Sequence, residues 1–119
     1  MCLNGGYTEL GIKDRHGYGS DRFRVEPEFA VKIDPAFGLV GVLLEPASVV
    51  AKAWDHVDRV WRLEAAPPRR ALITGAGPIG LLAALMGVQR RHDVHVFDRN
   101  GDGPKPALTR ALGATYHSG

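Results

Sequence analysis

Apolar and polar positions change their rhythm along the chain. Up to Gly38 the pattern is loose and interrupted by glycine and proline. Within it, "YGSDRFRV" (Tyr18–Val25) sets Phe23 and Val25 against Arg22 and Arg24, and "FAVKID" (Phe29–Asp34) alternates again. A period of two predicts short strands with one wet face, here punctuated by Pro27 and Pro35. From Val40 the spacing becomes helical. Val49, Val50, Ala53, Trp54, Val57, Val60 and Trp61 fall on one side, with Lys52, Asp55, Asp58, Arg59 and Arg62 largely opposite. This predicts an amphipathic helix of about 16 residues with Pro46 in its first turn. "EAAPPRR" (Glu64–Arg70) breaks the regularity, as a surface connection does.

From Ala71 apolar runs alternate with turn residues. "ALIT" reads as a strand, "PIGLLAALMGVQRR" as a helix with arginines in its last turn, and "DVHVFD" (Asp93–Asp98) as a second strand. "NGDGPK" is a turn, "PALTRALG" a helix closed by Gly113, and "ATYH" the start of a third strand. The order β-α-β-α-β predicts an α/β fold: a parallel sheet with crossover helices, part of a Rossmann fold. The expected organisation is two pieces, residues 1–38 with short strands and residues 39–119 with the long helix and the alternating units.

The composition of the 119 residues adds little beyond class. Hydrophobic residues make up 45% and charged residues 24%, the balance of a globular domain. The net charge of +2 does not argue for nucleic acid. The doublets Arg69–Arg70 and Arg90–Arg91 flank predicted strands and read as solvated ends. Cys2 is the single cysteine, so no internal disulfide can form and a cytoplasmic setting is the expectation. No apolar run is read as reaching the ~20 residues of a membrane span. The 15 glycines are well above the usual share.

Three of those glycines form a motif. Gly75-Ala76-Gly77-Pro78-Ile79-Gly80 is a GxGxxG that leaves one strand and opens a helix. Asp98 ends the next strand, 18 positions beyond Gly80. In that context the pattern points to a dinucleotide. Gly75 would allow the sharp turn, Gly77 the close approach of a pyrophosphate, and Gly80 the packing of helix on strand. The N–H groups and dipole at the helix start, around Pro78 and Ile79, favour phosphate. Asp98 would accept from the ribose hydroxyls, which favours NAD, while Arg99 beside it would suit the 2′-phosphate of NADP. A ligand-free glycine turn and an ordinary surface arginine are the alternatives.

The stretches "NGGYTELGI", "LLEPASVVAKAW" and "TGAGPIGLLAAL" together resemble the zinc-dependent medium-chain dehydrogenases, in their glucose 1-dehydrogenase branch. The resemblance covers nearly the whole chain. It implies a β-rich GroES-like domain followed by a Rossmann domain, with NAD(P) and a catalytic zinc oxidising an aldose at C1 to a lactone. It implies that Cys2 is the last of four structural-zinc cysteines, that Glu9 contacts sugar hydroxyls, and that Glu45 is a ligand of the catalytic zinc or a sugar contact. The plain alternatives are a free thiol, a solvated turn residue, and a carboxylate complementing a helix N-terminus. The resemblance further implies that this chain is the middle third of such an enzyme, inactive alone. A non-catalytic dinucleotide-binding remnant is the second reading, and an open sheet edge would offer a route to a homo-oligomer.

The histidines suggest no metal site. His92 and His95 are three apart at a strand start and so point to opposite faces. His16 lies in a turn, His56 on the polar side of the long helix, and His117 near the end without an evident partner.

Overall fold

The computed structural model describes residues 3–63, 65–66 and 69–119. The chain divides into two compact units, Met1–Ala36 and Phe37–Gly119, each described by itself.

In the first unit regular structure is sparse. β1 (Glu9–Leu10) and β2 (Asp14–Arg15) are two residues each, held at a tight turn where Glu9 and Lys13 exchange backbone hydrogen bonds of 2.8 and 2.9 Å. The Lys13 ammonium donates to the Gly5 carbonyl and lies 4.4 Å from the centre of the Tyr7 ring. The strands expected at Tyr18–Val25 and Phe29–Asp34 do not form. Instead, Pro27–Phe29 is a single 3₁₀ turn, and Phe23, Phe29 and Val31 are 60%, 73% and 88% exposed. Alternation needs a neighbouring strand to complete its ladder and a face to bury, and the described residues supply neither to these segments.

A 3₁₀ run, Pro35–Leu43, which begins in the last two residues of the first unit and is broken at Gly38 (φ +49°), leads into α1 (Leu44–Trp61) of the second. Together these form a helical stretch, Pro35–Trp61, that by length and composition alone could cross a bilayer, contrary to the reading of the sequence. The core helix of a soluble protein passes the same test. Such a core helix is mostly buried, whereas only 6% of the apolar window here is; α1 itself carries a charged face and docks on a neighbouring helix.

β3 (Arg70–Thr74), α2 (Pro78–Gln89), β4 (Asp93–Asp98), α3 (Pro104–Ala111) and β5 (Thr115–Ser118) follow. The strands form one parallel sheet in the order β3-β4-β5, with Ile73 beside Val96 and Val96 beside Tyr116. Thus the α/β alternation read from Ala71 onward is the fold. Val94 and Val96, 2% and 0% exposed, pack with Ala76, Ala84 and Ala114 in the core. The opposite face of the sheet carries Leu72 and Phe97 and is open, Leu72 being 67% exposed. Arg90 and Arg91 lie past the end of α2 rather than in its last turn.

Trp54 fastens α1 to this core. It is buried, its indole N–H donates to the Ala83 carbonyl at 3.1 Å, and its ring stacks on His92 with centroids 5.1 Å apart. Gly87 makes the fit possible: a Cβ there would stand 2.7 Å from Trp54 and 2.9 Å from Val94. The rest of the apolar stripe is less covered than expected, with Val49 and Val60 more than half exposed. Gly87→Ala should therefore destabilise the second unit by about 1–3 kcal/mol through overpacking. Urea titration followed by tryptophan fluorescence measures this, and an unshifted midpoint would show that Trp54 is not wedged there.

Candidate functional site

The glycine turn joins the carboxyl end of β3 to the head of α2. Gly75 has φ +94°, a left-handed conformation that glycine adopts without a Cβ penalty. Its N–H donates to the Phe97 carbonyl at 2.7 Å, extending the β3–β4 ladder into the turn. Gly80 carries the tightest contact: a Cβ there would sit 1.8 Å from the Gly75 carbonyl oxygen. Gly77 differs from both. It has φ −81° and ψ −177°, which any residue adopts, and a Cβ on it would meet nothing within 4 Å. Packing therefore explains Gly80 and backbone conformation explains Gly75, while neither explains Gly77.

Gly77 caps α2, and Pro78 is its first residue. Proline has no N–H to leave unsatisfied there, and the N–H groups of Ile79 and Gly80 have no intrahelical acceptor. Ile79 is about half exposed beside them. The N-terminal end of the helix dipole adds positive potential at this spot.

Asp98, at the end of β4, is only 9% exposed and its acceptor sites are occupied. One oxygen accepts from the Ala76 N–H at 2.8 Å and the other from the Asn100 N–H at 3.0 Å. The Lys105 ammonium reaches both, at 2.9 and 3.1 Å. The Asn100 N–H, then the Ala76 N–H, then Lys105 hold this carboxyl well below the usual carboxylate range. The sequence suggests a ribose acceptor, whereas in the fold the carboxylate ties the glycine turn to the loop after β4. Lys105 was not anticipated. One signal was available: a lysine in the first turn of a helix opposes the dipole and so needs a carboxylate partner.

Beside this tie lies a cleft of about 360 Å³ lined by Thr74, Gly75, Phe97, Asp98, Arg99, Asn100 and Lys105. Arg99, one of these lining residues, is exposed. Within the same unit, Glu45 is not among the residues lining this cleft. Glu45 is exposed in the first turn of α1, where a carboxylate complements the helix dipole. Glu9 is exposed in β1 of the other unit. Cys2 lies outside the described residues.

Among the described residues no group of three histidine, cysteine or acidic side chains could hold a metal ion. His117, expected to lack a partner, has one: its Nε2 lies 2.8 Å from His95 Nδ1 on the adjacent strand. Asp93 stands 3.2 Å from the other nitrogen of His95.

A strand, a glycine turn with an open Gly77, and a helix N-terminus define the first βαβ unit of a Rossmann-type fold. The model of the family "Glucose dehydrogenase C-terminus" matches residues 38–119, and the chain belongs to that family. It is 38% identical over 117 residues to a glucose 1-dehydrogenase of Methanocella arvoryzae, covering 98% of this chain and 33% of that protein. It is 40% identical over 119 residues to glucose 1-dehydrogenase 1 of Vulcanisaeta moutnovskia, covering 97% and 34%. The glucose dehydrogenase of Haloferax mediterranei, solved in complex with NADP, zinc and gluconolactone, matches with a TM-score of 0.84 at 30% identity. That match covers 99% of this chain and 34% of the Haloferax one. The chain thus spans about a third of the length of the curated relatives it matches.

The Asp98 tie has a pH signature. Its carboxyl is held low in the fold, so its stabilisation is complete above the ordinary aspartate value of about 4 and is lost progressively as pH falls from there to the lower folded value. The melting temperature of Asp98→Asn should lie below the parent's near neutrality, and the two curves should converge as pH falls from about 4 into strong acid. A pH-independent gap in thermal melts would place the cost of the substitution elsewhere.

Proposed function

We propose that this chain binds NAD(P) and serves as the coenzyme-holding part of a dehydrogenase that oxidises an aldose such as glucose at C1 to the lactone. The observation that carries the reading is Gly77: its bareness has no use inside the fold, and the space above it lies at the head of α2. The pyrophosphate is assigned to that space, with the Ile79 and Gly80 N–H groups facing it. The adenosine ribose is assigned to the cleft beside the Asp98–Asn100 loop. A nicotinamide coenzyme, when bound, accepts the hydride; the residues here bind and orient it. The names of the relatives and the ligands of the Haloferax complex support the sugar and the coenzyme class.

Zinc also belongs to the Haloferax complex. The described residues do not fit a zinc centre of their own, since Glu45 is exposed on α1 and no second metal-ligating group stands with it in a set of three.

A preference for NAD requires a free carboxylate at Asp98. With Lys105 matching its charge and its acceptor sites in use, Asp98 offers little repulsion to a 2′-phosphate, and the exposed Arg99 in the cleft lining can pair with one. Both coenzymes are therefore assigned to this site, with Arg99 as the residue that tells them apart.

Two titrations test the reading. Gly77→Val should leave the melting temperature within a degree or two, because its backbone conformation and surroundings tolerate a side chain, yet should weaken dinucleotide binding about 100-fold or more. Equal calorimetric titrations for the parent chain and the variant would end the pyrophosphate assignment. Arg99→Ala should weaken NADP about tenfold more than NAD, the worth of one charge-assisted hydrogen bond. A parallel loss for both coenzymes would mean that Arg99 does not read the 2′ position.

A further inference from the structure

The two arginine doublets of the sequence read as separate solvated ends, but the fold brings three of their four members together. Arg69, Arg90 and Arg91 surround a hollow of about 560 Å³ with Arg62, at the end of α1 and past the end of α2. Trp61 and His92 form an aromatic wall. Asp58 is the one carboxylate lining it, 3.6 Å from Arg90. Among the described residues Arg62, Arg69 and Arg91 have no acidic partner, so four guanidinium groups share one hollow with a single lining carboxylate.

Arg91 adds an independent observation. α2 ends in a paired backbone motif: the His92 N–H donates to the Gly87 carbonyl at 3.1 Å, and the Arg91 N–H to the Val88 carbonyl at 2.8 Å. The residue at the Arg91 position of this motif is left-handed and is usually glycine. Arg91 occupies it with φ +64°, a conformation that disfavours a side chain. The chain thus keeps an unpaired arginine where glycine would be easier to accommodate.

We propose that this hollow binds a multiply charged phosphate chain. Several guanidinium forks suit several phosphoryl groups, whereas a single carboxylate would leave charges unmatched. The source can be an inorganic polyphosphate or a nucleotide, and the half-buried Trp61 in the lining is the aromatic group a base could meet. The site is distinct from the dinucleotide cradle: the two lie at opposite ends of the 12-residue α2, about 18 Å apart along its axis. Because this end of the helix carries the negative pole of the dipole, binding depends on the arginine side chains rather than on backbone N–H groups.

The test uses the full chain titrated with inorganic triphosphate and with ATP, read by calorimetry and tryptophan fluorescence. Both ligands should bind, with affinity falling steeply as salt rises. Arg91→Gly should weaken both about tenfold or more without lowering the melting temperature, since glycine suits the left-handed position. In Gly77→Val, triphosphate and ATP binding should persist. ATP binding more tightly than triphosphate would identify a nucleotide site, and equal binding an inorganic polyphosphate site. The proposal is overturned if neither ligand binds, if Arg91→Gly binds both as the parent does, or if Gly77→Val alone abolishes binding. The last outcome would place the anion in the cradle and leave the coenzyme reading standing.

Discussion

The carboxylate of Asp98 holds together two loops that lie 22 residues apart in the chain. One of its oxygens secures the glycine turn through Ala76, the other secures the loop after β4 through Asn100, and Lys105 brings in the start of α3. Ala76 is itself buried in the core. The geometry of the cradle thus rests on a charge-assisted network in contact with the hydrophobic interior, where such hydrogen bonds are stronger than in water. Both sides of the candidate coenzyme cleft are set by it, so the shape of the site and the stability of the sheet end are one physical problem.

The three motif glycines divide the remaining work. Gly75 supplies a backbone angle, Gly80 supplies an approach of helix to turn that no side chain permits, and Gly77 leaves space open toward the outside. Only the last has no internal beneficiary. That asymmetry separates a ligand cradle from a glycine-rich corner that merely turns the chain, and it follows from contact distances rather than from the motif.

The two ends of α2 complement each other electrostatically. Its N-terminus offers bare N–H groups over an open turn, and its C-terminus is ringed by arginines that counter the negative pole. Trp54 and Gly87 lock α1 against the same helix, so the long amphipathic helix and the sheet share one support. The open face of the sheet at Leu72 and the half-covered stripe at Val49 and Val60 show how much apolar surface this third of a relative's length leaves accessible. The membership in the glucose dehydrogenase family and the strand–turn–helix geometry agree on a Rossmann-type unit.

From residue 44 onward the elements were legible in the sequence, with β4 found at both ends and α1, β3 and β5 within a few residues. Their signals are local: helical spacing around Trp54, dense apolar runs at Ala71 and Val94, glycines at the turns. GxGxxG with Asp98 was legible for the same reason, since every part of it lies within one βαβ unit. The alternation at Tyr18–Val25 misled, because a strand depends on a neighbour that local spacing does not specify. The task of Asp98, the partnership of Lys105, the pairing of His95 with His117 and the convergence of Arg62, Arg69, Arg90 and Arg91 belong to tertiary structure alone. Each joins side chains on different elements, and a charge or a hydrogen bond is assigned only when folding decides which groups come within reach and which are left in water.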